Sequence, residues 1–235
     1  MDQRLKELVD KSRYAVFFGG AGVSVPSGIP DFRSQDGLYH QTWKYPPEKI
    51  ISHSYFIREP EEFFRFYKQK MLYPQARPNA AHLTLAQWEQ EGKLKAVITQ
   101  NIDGLHQAAG SREVVELHGS VHRNRCMKCG SSYDMAYVAQ AQDVPRCACG
   151  GLVKPEVVLY EEPLADQAVD RALYHIQQAD VLIVGGTSLA VYPAAGFLEY
   201  FRGSHLAVIN RTPGPKDHQA QLVIYDDIAR AMGRG

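Results

Sequence analysis

Six short apolar runs constrain the fold of this chain more than anything else in it: Tyr14 to Phe18, Ala96 to Thr99, Val114 to Leu117, Val181 to Val184, Leu206 to Ile209 and Leu222 to Tyr225. They read as strands buried on both faces rather than strands with one wet side. Helical patterns lie between some of them: Ala81, Leu85 and Trp88 behind an Asn79 cap, and Val169, Ala172, Leu173 and Ile176 after Asp166. Apolar residues spaced three and four apart give each helix one face for the core. Strands alternating with helices predict an α/β fold with a doubly wound parallel sheet. At 235 residues and 45% hydrophobic content, the chain has enough for one substantial core and a small satellite.

Two segments break the alternation. Residues 35–71 are aromatic and charged (Tyr39, Trp43, Tyr45, Phe56, Phe63, Phe64, Phe66, Tyr67) and read as a helical insert. Residues 120–154 hold all four cysteines, as Cys126-x2-Cys129, 17 intervening residues, then Cys147-x-Cys149. Two close pairs backed by Gly130, Gly150 and Gly151 match a zinc ribbon, where one tetrahedral ion takes four thiolates. Such a site has no open coordination position, so the metal is expected to be structural. The single residue between Cys147 and Cys149 is tighter than the usual two, and strain in that knuckle is expected. A rival set, His118 and His122 with Cys126 and Cys129, would strand the second pair.

Charge narrows the partners. Lys+Arg and Asp+Glu both number 26, so no global basic field gathers nucleic acid. The local group Arg123, Arg125 and Lys128 reads as a solvated face. Val181 to Leu198 is uncharged for 18 residues, near the lower limit of a membrane span, but Gly185-Gly186-Thr187-Ser188 and Pro193 interrupt it. The N-terminal stretch mixes both signs of charge with Leu5, Leu8 and Val9 at helical spacing, unlike a cleavable leader. No membrane partner and a cytoplasmic location are expected.

Chemistry gathers at the ends of the runs. Gly20-x-Gly22 follows the first run, where backbone amides can approach a pyrophosphate at a helix N-terminus. A standard dinucleotide fingerprint would place a third glycine at Val25 and an acidic residue at the end of a second strand about 20 positions on; neither is present. Thr99-Gln100-Asn101-Ile102-Asp103-Gly104-Leu105-His106 puts amides and a carboxylate on one strand-end loop. The plain alternatives are a turn for Asn101 and a loop cap for Asp103.

Gly20-Ala21-Gly22-Val23-Ser24, Gly28-Ile29-Pro30-Asp31-Phe32-Arg33, Thr99-Gln100-Asn101-Ile102-Asp103, Leu117-His118-Gly119 and the paired cysteines together resemble the sirtuin family. Gly186-Thr187-Ser188-Leu189, Pro193-Ala194 and Asn210 extend the resemblance through the C-terminal half. It implies NAD-dependent removal of acetyl groups from protein lysines, with transfer to ADP-ribose and release of nicotinamide. The implied layout is a Rossmann-like domain over 1–34, 72–119 and 155–235, a helical insert with the cofactor loop over 35–71, and a small zinc-binding domain over 120–154. NAD is implied as co-substrate and one structural zinc on Cys126, Cys129, Cys147 and Cys149.

By the same resemblance Asn101 and Asp103 grip the nicotinamide carboxamide beside Ile102, and His118 is the base that deprotonates a ribose hydroxyl. A base titrating near neutral pH suits that step. Gly20, Ala21, Gly22, Val25, Phe32, Arg33 and Gln100 are the other cofactor contacts on the first loop and ribose, with Gly186, Thr187, Ser188, Asn210, Asp227 and Ile228 toward the adenosine. Val157, Val158, Leu159, Tyr160, Glu161 and Val191 are the implied substrate contacts, the 157–161 stretch pairing with the peptide main chain as an added strand. Glu161 stands where a glycine is common, implying a narrower groove or a preference for basic neighbours. The Tyr-x-x-Arg pair of desuccinylating members falls at Phe64 and Tyr67, which offer no guanidinium, although Lys68 and Lys70 are near; acetyl or longer apolar groups are therefore expected. Three other readings stay open: mono-ADP-ribosyl transfer to protein, deacylation of longer apolar groups, and a non-catalytic NAD or ADP-ribose sensor.

Overall fold

The structure, a computed structural model, describes residues 1–31, 43, 45–189 and 194–233. Among the described residues the strands are β1 (Ala15–Gly19), β2 (Leu94–Thr99), β3 (Val114–Glu116), β4 (Gly119–Cys126), β5 (Ser132–Tyr133), β6 (Val153–Val157), β7 (Val181–Gly185), β8 (His205–Asn210) and β9 (Leu222–Tyr225). The helices are α1 (Gln3–Lys11), α2 (Pro47–Ile50), α3 (His53–Arg58), α4 (Pro60–Lys70), α5 (Ala80–Gln90), α6 (Leu105–Ala108), α7 (Met135–Gln140), α8 (Asp166–Gln178) and α9 (Ile228–Met232).

All six apolar runs become strands of one sheet, in the order β3-β2-β1-β7-β8-β9, and every pairing is parallel. Side chains alternate between two apolar cores. Phe17, Val97, Ile183, Ala207 and Ile209 pack with Leu5, Val9, Leu85 and Trp88 on one face. Val16, Phe18, Ile98, Leu182, Val184 and Val208 pack with Ala172 and Ile176 on the other. Burying one such side chain stabilises by about 1.5–3 kcal/mol, which is why the runs carry no polar alternation. Asp2 caps α1 by accepting from Arg4 and Leu5 N–H. α8 starts one residue early: Ala165 is its N-cap and Asp166 lies in its first turn, where a carboxylate suits the helix dipole.

The sheet reverses its winding between β1 and β7. Gly19 sits beside Gly185 in register, so the loops after these strands emerge side by side, the place where open α/β sheets bind ligands. Past β1 the chain makes two short 3-10 turns, Ala21–Val23 and Val25–Ser27, and not the α-helix N-terminus that the glycine pattern suggested. Within the uncharged 181–198 stretch the described residues form β7, an irregular segment over 186–189 and a 3-10 segment over Ala194–Tyr200. Among the described residues, no helix is long and apolar enough to cross a membrane.

A second, three-stranded sheet, β5-β4-β6, carries the cysteines. Its Val121, Val153 and Val157, with Val138 of α7, share one apolar cluster with Ile50, Tyr55, Phe56, Phe63, Phe64, Phe66 and Tyr67 of the insert. Lys68 of α4 donates to the carbonyls of Ala141 (2.5 Å) and Asp143 (2.6 Å), just beyond α7.

Candidate active site

The loop after β2 crosses the sheet switch, and its side chains form a continuous chain of hydrogen bonds. Gln100 N–H donates to Gly19 C=O at 3.0 Å, docking the loop on β1. Asn101 Nδ2 donates to Ser24 Oγ at 3.0 Å, and Ser24 Oγ donates onward to Asp103 Oδ2 at 2.6 Å. Asp103 Oδ1 accepts from Leu105 N–H at 2.9 Å. Burial pushes the Asp103 carboxyl above its ordinary value, while the Ser24 and Leu105 bonds pull it back. The result is a carboxylate held in place at some desolvation penalty, a usual mark of a working site.

His118 lies between β3 and β4. Its Nδ1 sits 2.9 Å from Gln100 C=O. A carbonyl can only accept, so Nδ1 carries the proton and the lone pair is at Nε2. Burial lowers the imidazole pKa and the Gln100 bond opposes this, which leaves the ring neutral and basic at pH 7. Gly119 follows with φ +74°, and a Cβ there would stand 2.0 Å from Glu156 C=O, so the turn that sets His118 admits only glycine.

The four sulfurs meet elsewhere, all within 4.8 Å of one another. Cys126 approaches Cys149, and Cys129 approaches Cys147, each at 3.5 Å. A disulfide would need about 2.05 Å; thiolates at about 2.3 Å from a tetrahedral zinc stand about 3.8 Å apart. The set fits one zinc ion, and the tight Cys147-x-Cys149 spacing does not prevent convergence. Neither rival histidine joins it, since His122 Nε2 donates to Asp103 C=O at 3.0 Å and His118 faces Gln100.

The Sir2 family profile matches residues 20–193, a span that contains the glycine loop, the switch loop, His118 and the cysteines. The chain belongs to the Sir2 family. A protein of Clostridium perfringens named NAD-dependent protein deacetylase is 54% identical over 98% of this chain and 96% of its own length. One of the same name from Cutibacterium acnes is 53% identical over 98% and 95%. Among solved structures, a Sir2 with deacetylated p53 peptide and 3'-O-acetyl ADP ribose superposes with TM-score 0.89 at 39% identity, covering 97% of this chain and 94% of that one. A Sir2 with p53 peptide and NAD+ gives 0.85 at 38%, covering 98% and 95%.

In this Sir2 chain the glycine loop is shaped by its neighbour as much as by any ligand. A Cβ on Gly20 would meet Thr187 Cβ at 2.8 Å, and one on Gly22 would meet Gly186 Cα at 2.8 Å. Gly22 N–H donates to Gly186 C=O at 2.8 Å. Among the described residues the Ala21 and Val25 amides make no such bond, leaving donors that fit a pyrophosphate. Gln100 Nε2 donates to Thr187 Oγ1 at 3.1 Å, tying the two loops together. Asn210 Oδ1 accepts from Thr187 N–H and its Nδ2 donates to Thr187 C=O, both at 3.1 Å, so its amide braces the loop. Asp227 caps α9 and pairs with Arg211, and Ile228 is buried in the core. What those two can offer a nucleotide is main chain. A cleft of about 410 Å³ lies beside them, lined by Arg211, Tyr225, Asp226, Asp227 and Arg230. Ser188 is exposed at the rim of the 186–188 loop.

On the other side of His118, β6 ends at Val157, and the segment named above as an implied peptide contact follows. Val158 N–H donates to His118 C=O at 2.9 Å, which places this segment directly beside the candidate base. Phe32, Arg33 and Val191 lie outside the described residues. Arg123 pairs with Glu116 and Arg125 with Glu156, so much of the basic group on the ribbon is neutralised. Sequence reasoning missed Ser24 as the link between Asn101 and Asp103. It also took Asn79 for a cap alone, whereas Asn79 Nδ2 also donates to Val23 C=O and Ser27 Oγ, at 2.8 and 2.9 Å. The signal for Ser24 was its place in the glycine motif.

Proposed function

We infer that this chain is an NAD-dependent protein lysine deacetylase, a transferase that moves the acetyl group to ADP-ribose and releases nicotinamide. The observation that carries it is His118, with Nδ1 committed to Gln100 and Nε2 basic, beside the Asn101–Ser24–Asp103 chain at the sheet switch. The relatives named above act in the same sense by their names.

Bound NAD supplies a ribosyl carbon that gives up nicotinamide and takes the acyl oxygen. Asn101 and Asp103 hold the carboxamide against Ile102, with Ser24 keeping both side chains oriented. His118 takes a proton from a ribose hydroxyl at Nε2, and the Gln100 carbonyl stabilises the resulting imidazolium. The 20–25 amides meet the pyrophosphate, the 186–188 loop braced by Asn210 meets the adenosine side, and the 157–161 edge takes the peptide of an acetyl-lysine protein. One zinc on the four cysteines closes the ribbon and takes no part in proton transfer. The domain division we propose keeps the Rossmann-like part at 1–34, 72–119 and 155–235; the insert and ribbon, sharing a core, work as one small lobe. The location we propose is cytoplasmic.

Acetyl and apolar acyl groups are preferred over acidic ones. Phe64 and Tyr67 are buried in the aromatic cluster, and Lys68 is spent on the carbonyls beyond α7.

Mass spectrometry of an acetyl-lysine peptide incubated with and without NAD tests the reading, with His118→Ala alongside. NAD-dependent loss of acetyl with O-acetyl-ADP-ribose formed, falling to a small residual rate in the variant, supports it. NAD consumed while the peptide stays acetylated would favour ADP-ribosyl transfer, and no NAD consumption would favour a sensor.

A further inference from the structure

The segment after β6 is fastened by two consecutive glutamates that face opposite ways. Glu162 turns inward: its Oε2 accepts from Leu159 N–H at 2.9 Å and from Lys154 Nζ at 3.0 Å, and its Oε1 lies 2.7 Å from His53 Nδ1. Glu161 turns outward and is strained. Its φ is +76°, and only Leu189 shares this left-handed region among the described non-glycine residues. A side chain with a Cβ does not settle there unless something holds it.

What holds it is Ser54, in the first turn of α3. Glu161 Oε2 accepts from Ser54 N–H at 2.8 Å, and Oε1 accepts from Ser54 Oγ at 2.9 Å. The main chain runs alongside: His53 N–H donates to Tyr160 C=O and Tyr160 N–H donates to Ile51 C=O, both at 3.0 Å. The first two amides of α3 have no acceptor inside their own helix. Both are taken by the 160–161 backbone and side chain. These bonds hold the Glu161 carboxyl below the usual glutamate range.

We propose that Glu161 is a positioning residue for peptide recognition, clamped on Ser54 so that segment 158–161 is locked against α3 and offers a preformed edge to the substrate main chain. The proposal rests on the reading of that segment as the peptide edge. A glycine at 161 would accept the backbone conformation without strain but would fasten nothing. With its carboxylate engaged by Ser54, Glu161 acts as a clamp and not as a reader of basic neighbours, in place of the role suggested by sequence. An edge ordered in advance spares the peptide the entropy of ordering it, so the effect belongs in peptide affinity.

Steady-state kinetics with an acetyl-lysine peptide and with a blocked acetyl-lysine monomer, on wild type, Glu161→Gln, Glu161→Ala, Glu161→Gly and Ser54→Ala, tests this, with circular dichroism confirming each fold. The peptide is expected to have a much lower KM than the monomer on wild type. Glu161→Ala and Glu161→Gly should raise peptide KM by about fivefold, the loss of two exposed, modest hydrogen bonds to Ser54. Ser54→Ala, which keeps the N–H, should raise it about twofold, and Glu161→Gln, whose amide oxygen still accepts, should stay near wild type. Monomer KM, NAD KM and kcat should not follow. Unchanged peptide KM in the alanine and glycine variants, with the peptide still favoured over the monomer, overturns the clamp and leaves the edge reading standing. Should one variant fail to fold, Ser54→Ala decides, since no rise there overturns the clamp. If wild type accepts monomer and peptide equally, the edge reading itself fails and the clamp with it.

Discussion

The two lobes of this molecule are stabilised by different means. In the large sheet, β1 and β7 are buried along their whole length, and their packing partners come from both faces. In the small lobe β5 has two residues and three of the eight residues of β4 are exposed; its cohesion comes from insert aromatics and from four sulfurs within 4.8 Å. The sheet can stand on apolar burial alone. The ribbon is too small to do so and needs a cross-link, which a thiolate-bound metal supplies.

Removing the cross-link is the strongest way to break this comparison. Cys147→Ser, or zinc chelation, should lower activity at least about 100-fold by disordering the ribbon and the peptide edge that continues from β6. Hydrogen exchange should show β1, β2, β7 and β8 still protected. Loss of protection there would mean that the lobes fold as one unit.

Acid should act on the large lobe. His82 and His106 are fully buried with their rings 4.7 Å apart. Burial pushes His82 down to about 4 from 6.5, and His106 is lowered too. The unfolded chain therefore binds protons near 6.5 that the native chain refuses until about pH 4. Stability is complete above about 6.5 and falls as pH drops through this window. His82 alone accounts for about 3 kcal/mol at the bottom of the range. Urea denaturation at several pH values checks this, and His82→Gln should flatten the dependence.

Smaller effects sharpen the account of the site. Ser24→Ala removes the link between Asn101 and Asp103 and leaves buried polar groups unpaired, so kcat should fall about 10- to 100-fold. Asn79→Ala should cost about 1 kcal/mol in thermal or urea unfolding, through the lost cap on α5 and the lost bonds to the 23–27 loop.

Strands buried on both faces leave long apolar runs, so the sheet was legible in the sequence to within about two residues. The cysteine spacing was equally plain, because ligand geometry constrains local sequence. That 3-10 turns and not an α-helix follow β1 was not legible, since a glycine-rich loop looks the same before either. Nor was the common core of Phe63, Val121 and Val153, which depends on packing between distant segments. Asn210 and Glu161 were recognised as positions, but what each side chain grips is decided by partners that sequence does not bring together.

The most direct measurement is the pH dependence of kcat/KM for deacetylation, in wild type and in His118→Ala with its residual rate. If His118 is the base, wild-type activity should rise with pH through a midpoint below 6.5, because burial lowers the imidazole, and that limb should vanish in the variant. A midpoint above 6.5, or the same limb persisting without His118, would contradict its assignment.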